Sequence, residues 1–434
     1  MASEWRRHEV SRLLDAGQLV VGDGYRAKNV ELTRHGLPFA RAGNINNGFN
    51  FYDADCFPEA NLFQVGNKVS EPGDVVFTSK GTVGRFAFVR SGTPRFVYSP
   101  QLCFWRAVDK QLIDPRFLFY WMFGREFFIQ FKGVAGQTDM AEYVSLTDQR
   151  RMQITLPPLD EQRAIAHILG TLDDKLELNR QMNETLEAMA RALFKSWFVD
   201  FDPVRAKVEG RDPGLPNAIA ELFPDRFVDS GLGEIPEGWE AKGLDEFARF
   251  LNGLALQKYP PSGDRWLPVI KIAQLRAGTT NGADRASADL ATDYVVQDGD
   301  LLFSWSGSLE CVLWAGGPGA LNQHLFKVTS DAYPKWFCYL AVHQHLDSFR
   351  RIAAGKATTM GHIQRHHLSE AKIAVPPPAL FPEINKRLAA LVECLWKRNV
   401  ESRTIAEVRD SLLPKLISGE LRLKDAEKYI GVAV

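Results

Sequence analysis

Gly73-Asp74-Val75-Val76-Phe77-Thr78-Ser79-Lys80-Gly81-Thr82 is answered 226 positions later by Gly299-Asp300-Leu301-Leu302-Phe303-Ser304-Trp305-Ser306-Gly307-Ser308. Each stretch reads as a Gly-Asp turn, a short buried strand and a second turn. That chemistry is common, so the decision rests on what surrounds it. Glu4-Trp5-Arg6 is echoed by Gly238-Trp239-Glu240, and Leu37-Pro38-Phe39-Ala40-Arg41 by Leu267-Pro268-Val269-Ile270-Lys271 at an offset of 230. Pro115-Arg116-Phe117-Leu118-Phe119-Tyr120 is echoed by Pro334-Lys335-Trp336-Phe337-Cys338-Tyr339, and Ile154-Thr155-Leu156-Pro157-Pro158 by Ile373-Ala374-Val375-Pro376-Pro377, both at an offset of 219. Order is kept and the offset shrinks stepwise, as expected of one domain present twice with short loop deletions in the second copy.

Each copy has two parts. Residues 1–156 and 237–376 are rich in β-branched and aromatic runs broken by Gly, Asn, Asp and Pro, so each reads as a strand-rich globule with some helix, including one helix over 115–130. After Pro157-Pro158 and Pro376-Pro377-Pro378 the period changes, since proline stops a strand and sits well at a helix start. Leu169, Leu176, Asn183 and Ala190 interleave with Leu172, Asn179, Leu186 and Leu193 as two seven-residue series, a coiled-coil seam. A helix of this length spans about 60 Å at the usual rise. Leu388, Leu391, Leu395, Ile405 and Leu412 repeat the pattern, and Asn399 lies 220 positions after Asn179.

The expected fold class is therefore α+β: two tandem strand-rich domains related by a pseudo-two-fold axis, each followed by a long helix, the helices pairing as an antiparallel coiled coil. Core helices of an ordinary bundle are the other reading of the same periodicity. The expected boundaries are 1–156 and 237–376 for the domains, 157–200 and 377–416 for the helices, 201–236 for a connector and 417–434 for a tail.

At 434 residues with 45% hydrophobic and 24% charged side chains, the chain has the composition of a soluble protein of two or three domains. The net charge of −1 gives no overall basic footprint. Residues 1–155 carry 19 Lys plus Arg against 16 Asp plus Glu, so any phosphate-binding surface must come from arrangement. Cys56, Cys103, Cys311, Cys338 and Cys394 stand far apart, the opening residues lack an apolar signal core, and no run is long enough to span a bilayer, so a reducing cytoplasm is expected.

The constellations that chemistry needs are missing. Gly355-Lys356-Ala357 fails as a nucleotide loop, with Arg350 at the first glycine position and no hydroxyl after lysine. There is no Asn-Pro-Pro-aromatic sequence and no G-x-G-x-x-G, and Gly22-Asp23-Gly24 is turn material. His362, His366 and His367 come without H-E-x-x-H or a nearby cysteine, so they read as solvated or near phosphate. Glu161, Asp173, Asp174 and Glu177 read as a charged face toward solvent or a partner.

Leu156-Pro157-Pro158-Leu159-Asp160-Glu161-Gln162-Arg163-Ala164-Ile165 runs into Leu172-Asp173-Asp174-Lys175 and on to Phe194-Lys195-Ser196-Trp197-Phe198-Val199-Asp200-Phe201. This region strongly resembles the centre of type I restriction-modification specificity subunits. Ile235-Pro236-Glu237-Gly238-Trp239, Gly299-Asp300-Leu301-Leu302-Phe303 and Leu412-Leu413-Pro414-Lys415-Leu416-Ile417-Ser418-Gly419-Glu420-Leu421 resemble further stretches of that family, so nearly the whole chain is covered. The second junction departs from the pattern, with Ala379-Leu380-Phe381-Pro382-Glu383 where Glu-Gln-Arg is expected.

The resemblance implies a non-catalytic subunit for phage defence. Each target-recognition domain would read one half of a split, asymmetric target on double-stranded DNA, with the helices as the ruler between halves. It also implies docking to two modification (methyltransferase) subunits, which bind S-adenosylmethionine and methylate adenine, and to restriction (motor-nuclease) subunits. S-adenosylmethionine, ATP and magnesium would then sit on those partners, with no cofactor or metal in this chain. Candidates for partner contact and the seam are Glu161, Gln162, Arg163, Leu169, Leu172, Leu176, Asn179, Leu388, Leu391, Leu395 and Asn399. Candidates for DNA contact are loop residues that the repeat places equivalently: Lys80, Arg85, Lys132, Gln137 and Thr138 in the first domain, and Trp305, Ser306, Lys356, Thr358 and His362 in the second. Arg and Lys suit phosphate or guanine, Gln suits adenine, and hydroxyls suit either. The competing readings are a coiled-coil scaffold without DNA specificity and a cryptic nuclease.

Overall fold

The computed structural model describes residues 5–45, 48–80, 84–135, 144–355 and 361–421. The chain divides into two compact units, Met1–Asp174 with Ile405–Val434, and Lys175–Thr404. In the first, β1 (Arg6–Glu9) and α1 (Val10–Asp15) precede β2 (Leu19–Asp23), β3 (Leu37–Ala40), β4 (Cys56–Phe57), β5 (Val75–Thr78), β6 (Phe86–Phe88), β7 (Val97–Tyr98) and β8 (Leu102–Ala107). Then come α2 (Pro115–Trp121), α3 (Arg125–Ala135), α4 (Leu146–Arg150), β9 (Gln153–Leu156) and the long α5 (Leu159–Phe198). Strands pair in the orders β2-β8-β5-β6, β4-β3-β7 and β1-β9, all antiparallel except β3 with β7.

The second unit contains α6 (Asp202–Val208), α7 (Asn217–Ala220), β10 (Phe227–Ser230), β11 (Gly233–Pro236), β12 (Glu240–Gly243), α8 (Leu244–Phe247), β13 (Arg249–Asn252), β14 (Trp266–Ile270), α9 (Ile272–Ala277) and β15 (Arg285–Ser287). It continues through β16 (Val295–Val296), β17 (Leu301–Ser304), β18 (Cys311–Leu313), β19 (Gly319–Leu321), β20 (Leu325–Thr329), α10 (Lys335–Ala354), α11 (Arg365–Glu370) and β21 (Lys372–Val375) to the long α12 (Phe381–Ile417). Its sheets β13-β20-β17-β18, β15-β14-β19-β16 and β12-β21 reproduce those of the first unit with β16 added, and β10-β11 forms a further two-stranded sheet. The repeat in the sequence is a repeat of topology.

The Gly-Asp motif recurs because it solves one steric and one electrostatic problem. Gly73 and Gly299 adopt φ of +100° and +86°, a region that costs a side chain strain. The next residue folds back: the Asp74 carboxylate accepts the Glu71 N–H at 2.8 Å, and Asp300 accepts that of Gln297 at 2.8 Å. Each carboxylate then meets a cation from the adjacent strand. Arg106 forks onto Asp74 at 2.6 and 2.8 Å, and Lys327 reaches Asp300 at 2.8 Å. Asp74 is fully buried and also accepts from the Tyr98 hydroxyl at 2.6 Å; burial and that carboxylate push the phenol well above its ordinary pKa. A second shared feature is a close crossing of backbone: a Cβ on Gly24 would lie 2.0 Å from the Ser99 carbonyl oxygen, and one on Gly253 2.2 Å from that of Asn322.

Residues 115–130, expected as one helix, form two. Asp114 caps α2 by accepting the Arg116 and Phe117 N–H groups at 2.9 Å. The helix breaks at Met122–Gly124, where Trp121 turns its Nε1 to Glu126 at 2.8 Å and a Cβ on Gly124 would stand 2.6 Å from the Ile417 side chain. The matching element of the second unit, α10, is unbroken.

Helix α5 begins directly after Pro157-Pro158. Gln162, 1% exposed, locks this junction: it accepts the Asp114 N–H and donates to the Leu112 and Pro157 carbonyls, each at 2.9 Å. The corresponding residue of α12 is Phe381, whose ring packs 5.2 Å from Phe337 and 5.5 Å from Tyr333. An apolar plug replaces the amide clamp there, which is why the second junction departs from the first in sequence. The segment 201–236 packs as core: Val204, Ile219, Phe223 and Ile235 are buried with Trp197, Phe198 and Trp239. Phe201 holds φ at +56°, and the burial of its ring against Trp239 offsets that strain.

The long helices pair antiparallel. In the first unit Asp173 of α5 accepts Arg409 of α12 at 2.9 Å. In the second, Lys175 meets Glu401 at 3.2 Å, Asn179 donates to Glu401 at 3.0 Å, and Asn183 donates to Asn399 at 2.7 Å. Leu169, Leu172, Asn179, Ala190, Leu388, Leu395, Ile405 and Leu412 are buried as the heptads require. Val392 is buried where Leu391 was expected, and toward the end of α5 Phe194 and Trp197 displace Leu193 from the core. Among the described residues no helix is long and apolar enough to cross a membrane, and the five cysteines are unpaired.

Removing a buried carboxylate leaves its guanidinium uncompensated, which typically costs about 3–5 kcal/mol. Asp74→Ala is expected to lower the calorimetric transition of the first unit by that order, and Asp300→Ala, at a less buried pair, to act more weakly on the second. A melting profile of Asp74→Ala that matches the wild type would show that the motif does not hold the sheet.

Candidate functional site

The strand ends of each unit gather the polar loops on one edge. In the second unit the turn Asn322–Leu325, closed by the Leu325 N–H to the Asn322 carbonyl at 3.0 Å, presents Gln323 and His324. Three of the sequence candidates meet there. Trp305 donates its Nε1 to Asn252 Oδ1 at 2.9 Å and to the Gln323 carbonyl at 3.1 Å. Ser306 Oγ lies 3.0 Å from His324 Nδ1, and Ser306 bridges His362. The Ile363 N–H bonds the Trp305 carbonyl at 2.9 Å and the Gly307 N–H the Gly361 carbonyl at 2.8 Å, fixing the segment after residue 360 beside the Trp305–Gly307 loop. Lys356 and Thr358 lie outside the described residues.

The first unit builds the same edge with other side chains. The turn Ser99–Leu102 is closed by the Leu102 N–H to the Ser99 carbonyl at 2.9 Å and presents Gln101. The Val144 N–H bonds the Ser79 carbonyl at 3.1 Å, the counterpart of the Ile363 bond. Lys80 is exposed there. Arg85 is tied back, its N–H to Thr78 Oγ1 at 3.0 Å and its guanidinium to the Ala42 carbonyl at 3.3 Å. Gln101 Oε1 accepts the Ala42 N–H at 3.1 Å, and Arg41 pairs with Asp55 at 2.7 Å, so the Arg41–Ile45 turn joins the edge. Lys132 stands exposed on α3, over the Phe128 ring at 5.7 Å, while Phe127 and Phe131 of that helix pack on Phe77. Gln137 and Thr138 lie outside the described residues.

Gln101, Asn252, Gln323 and His324 belong to this edge and were not singled out by the sequence. The signal was there in part: Gln101 and His324 are 223 positions apart, between the offsets of 226 and 219 that bracket them, but nothing in their identities matches.

Part of the charged face expected on α5 is tied to the chain itself, while Asp174 stays exposed and Glu177 pairs with Arg180 of the same helix. Glu161 accepts Trp5 Nε1 at 3.2 Å, and Asp173 accepts the Tyr120 hydroxyl at 2.6 Å besides Arg409. Asp174 receives Arg116 at 2.7 and 2.9 Å and is also bound by Arg90. Burial opposes its ionisation, but the hydrogen bonds and charges of Arg116 and Arg90 prevail and hold the carboxyl below its ordinary value. Of the partner-contact candidates, Gln162, Leu169, Leu172, Asn179, Leu388 and Leu395 are buried against the chain itself, Glu161, Leu176 and Leu391 are half-buried, and Arg163 and Asn399 are exposed.

His366, His367 and Glu370 on α11 bring potential ligand atoms within 4.8 Å of one another. His367 Nδ1 accepts the Gln364 N–H at 2.9 Å, which assigns the proton of the neutral ring to Nε2 and removes that ring from the set of metal ligands in this state.

His343 of α10 is the most perturbed histidine. Its Nε2 donates to the Cys311 carbonyl at 2.9 Å, and its Nδ1 lies 3.9 Å from Glu187, beside a cavity of about 600 Å³ lined also by Arg191, Tyr339 and Arg350. Burial, helped by the charges of Arg191 and Arg350 and opposed by the Cys311 bond and Asp347, brings its pKa down to about 4. Between pH 6.5 and about 4 the unfolded chain binds a proton here that the folded chain refuses, so this contribution is full above 6.5 and is lost on acidification through that window. The loss at this ring is about 3 kcal/mol at most. The urea midpoint of the second unit should therefore fall less steeply over this range in His343→Gln than in the wild type; equal slopes would mean the ring does not titrate with folding.

Residues 8–188 and 236–396 match the family model described as type I restriction modification DNA specificity domain. The specificity subunit of the type I restriction enzyme HindI from Haemophilus influenzae is 25% identical over 433 residues, covering 88% of this chain and 94% of that protein. The MjaIX specificity subunit of Methanocaldococcus jannaschii is 23% identical over 430 residues, covering 96% and 94%. Among solved structures, the S subunit of a type I restriction-modification system from M. genitalium superposes with a TM-score of 0.54 at 13% identity over 95% of this chain and 96% of that one, a likeness of fold.

Proposed function

The chain belongs to the type I restriction modification DNA specificity family, and on that premise we propose that it reads a two-part DNA target for a restriction-modification enzyme and performs no chemistry itself. The observation that carries this reading is the pair of recognition edges: one backbone framework, built twice, with different side chains at equivalent positions. A pure scaffold has no use for that combination, whereas two readers of unequal half-sites require it. On this reading the recognition domains are 1–156 and 237–376, the spacer helices 157–200 and 377–416, the connector 201–236 and the tail 417–434.

Lys80, Arg85, Lys132, Gln137 and Thr138 would face DNA in the first domain, and Trp305, Ser306, Lys356, Thr358 and His362 in the second. Cationic groups there would position phosphates and amides would read base edges. Arg163 in the first unit, and in the second Asn399 with the half-exposed apolar side chains of Leu178 and Met189, would each offer helical surface to modification subunits. S-adenosylmethionine would be bound by those subunits, and ATP and magnesium by the restriction subunits. A cytoplasmic location fits the unpaired cysteines.

The test is to co-express the chain with its modification subunit and map methylated adenines across the genome by single-molecule sequencing. The expected result is a single bipartite motif, absent without this chain, of which one half alone changes when residues 1–150 are exchanged for those of a relative. Methylation independent of this chain, or a continuous motif, would sink the two-reader account and restore the scaffold.

A further inference from the structure

Gln101 and His324 occupy one position of one turn in the two units, and we propose that they are equivalent specificity-determining residues, each reading a base in its own half-site. The inference rests on the DNA-reading function proposed above and deepens it. The Ser99–Leu102 and Asn322–Leu325 turns are closed by the same backbone bond and cross the same glycine, Gly24 or Gly253. In each, the carbonyl of the residue in question accepts an N–H from the neighbouring loop: Ser79 to Gln101 at 3.0 Å and Trp305 to His324 at 3.3 Å. Backbone bonds therefore close the turn at both places, and neither side chain is needed for that closure.

Gln101 is held by one side-chain anchor with hydrogen-bonding capacity to spare, whereas His324 is engaged at both ring nitrogens by side chains of the same edge. Gln101 is exposed; its Oε1 accepts from Ala42, and its Nε2 makes no hydrogen bond among the described residues. His324 keeps Nδ1 on Ser306 Oγ, and its Nε2 lies 3.4 Å from the Gln323 amide. A fixed amide that donates and accepts matches the N6 amine and N7 of adenine in the major groove, while the linked Ser306–His324–Gln323 set presents a different pattern of donors and acceptors. Lys80, next to Ser79 whose N–H bonds the Gln101 carbonyl, is exposed beside that turn, a cationic group of the kind a phosphate backbone needs.

The experiment maps methylation motifs for the chain co-expressed with its modification subunit, comparing wild type with Gln101→Ala, Gln101→Glu, His324→Ala and His324→Asn. Each variant is expected to relax or alter one base position in one half of the motif. Discrimination there should fall by roughly 5- to 150-fold, with the other half intact. Gln101 and His324 variants must act on opposite halves, and Gln101→Glu, which keeps an acceptor and loses the donor, must shift preference away from adenine. A bipartite wild-type motif that no variant alters would overturn the inference and leave the family function standing. Complete loss of methylation by both Gln101 variants would also overturn it, since it would mark a structural residue. A wild-type motif that is not bipartite would overturn the DNA-reading function and the inference with it.

Discussion

Asn179 has no exposed surface, and its amide is satisfied only if the two long helices meet in one register. Its Nδ2 donates to Glu401 at 3.0 Å and to Ser402 at 3.2 Å, while its Oδ1 accepts from Arg398 at 3.2 Å. Sliding one helix past the other by a turn would leave that amide buried and unpaired, at a cost of about 1–3 kcal/mol, whereas leucine at this place would pack almost equally well in several registers. Asn183 and Asn399 add a second polar pair on the same seam. The apolar seam supplies attraction and the amides supply the address.

The domains are fastened to the helices by charge, and the polarity differs between the units. In the first, the helix provides the acid: Asp174 binds Arg116 and Arg90. In the second, the helix provides the base: Arg403 forks onto Asp298 at 2.9 and 2.8 Å and also donates to the Ala315 carbonyl.

Most of this architecture was legible in the sequence because it rests on patterns that repeat. The turn at Gly73-Asp74 and its echo, the shrinking offset and the heptads after Pro157 each express a backbone constraint that restricts which residues fit. The break at Met122–Gly124 was not legible, because it depends on Ile417 packing against Gly124 from the far end of the chain. Nor was the fate of Asp173 and Asp174: their helical spacing suggests a solvated face, and only the fold brings Tyr120, Arg116 and Arg90 to them. The recognition edge was half legible. Trp305, Ser306 and His362 lie in or beside a glycine-bearing loop that sequence can flag, whereas Gln101 and His324 sit one residue before a strand and differ from each other.

That difference is what a reader of two unequal sequences needs, and the structure shows why it carries little penalty. Where a side chain is required to close a turn or fill a core, as at Asp74 or Phe77, or where none can fit, as at Gly24, substitution is opposed by stability. At Gln101 and His324 the turn is closed by main-chain bonds over a closely packed glycine, so substitution there leaves the closure intact and removes only the bonds to Ala42 or to Ser306 and Gln323. Positions of this kind can change while the sheets, the Gly-Asp turns and the seam remain as they are. On the proposed function, a framework held by backbone and buried charge would let the side chains of this edge change to suit a new target without a new structure.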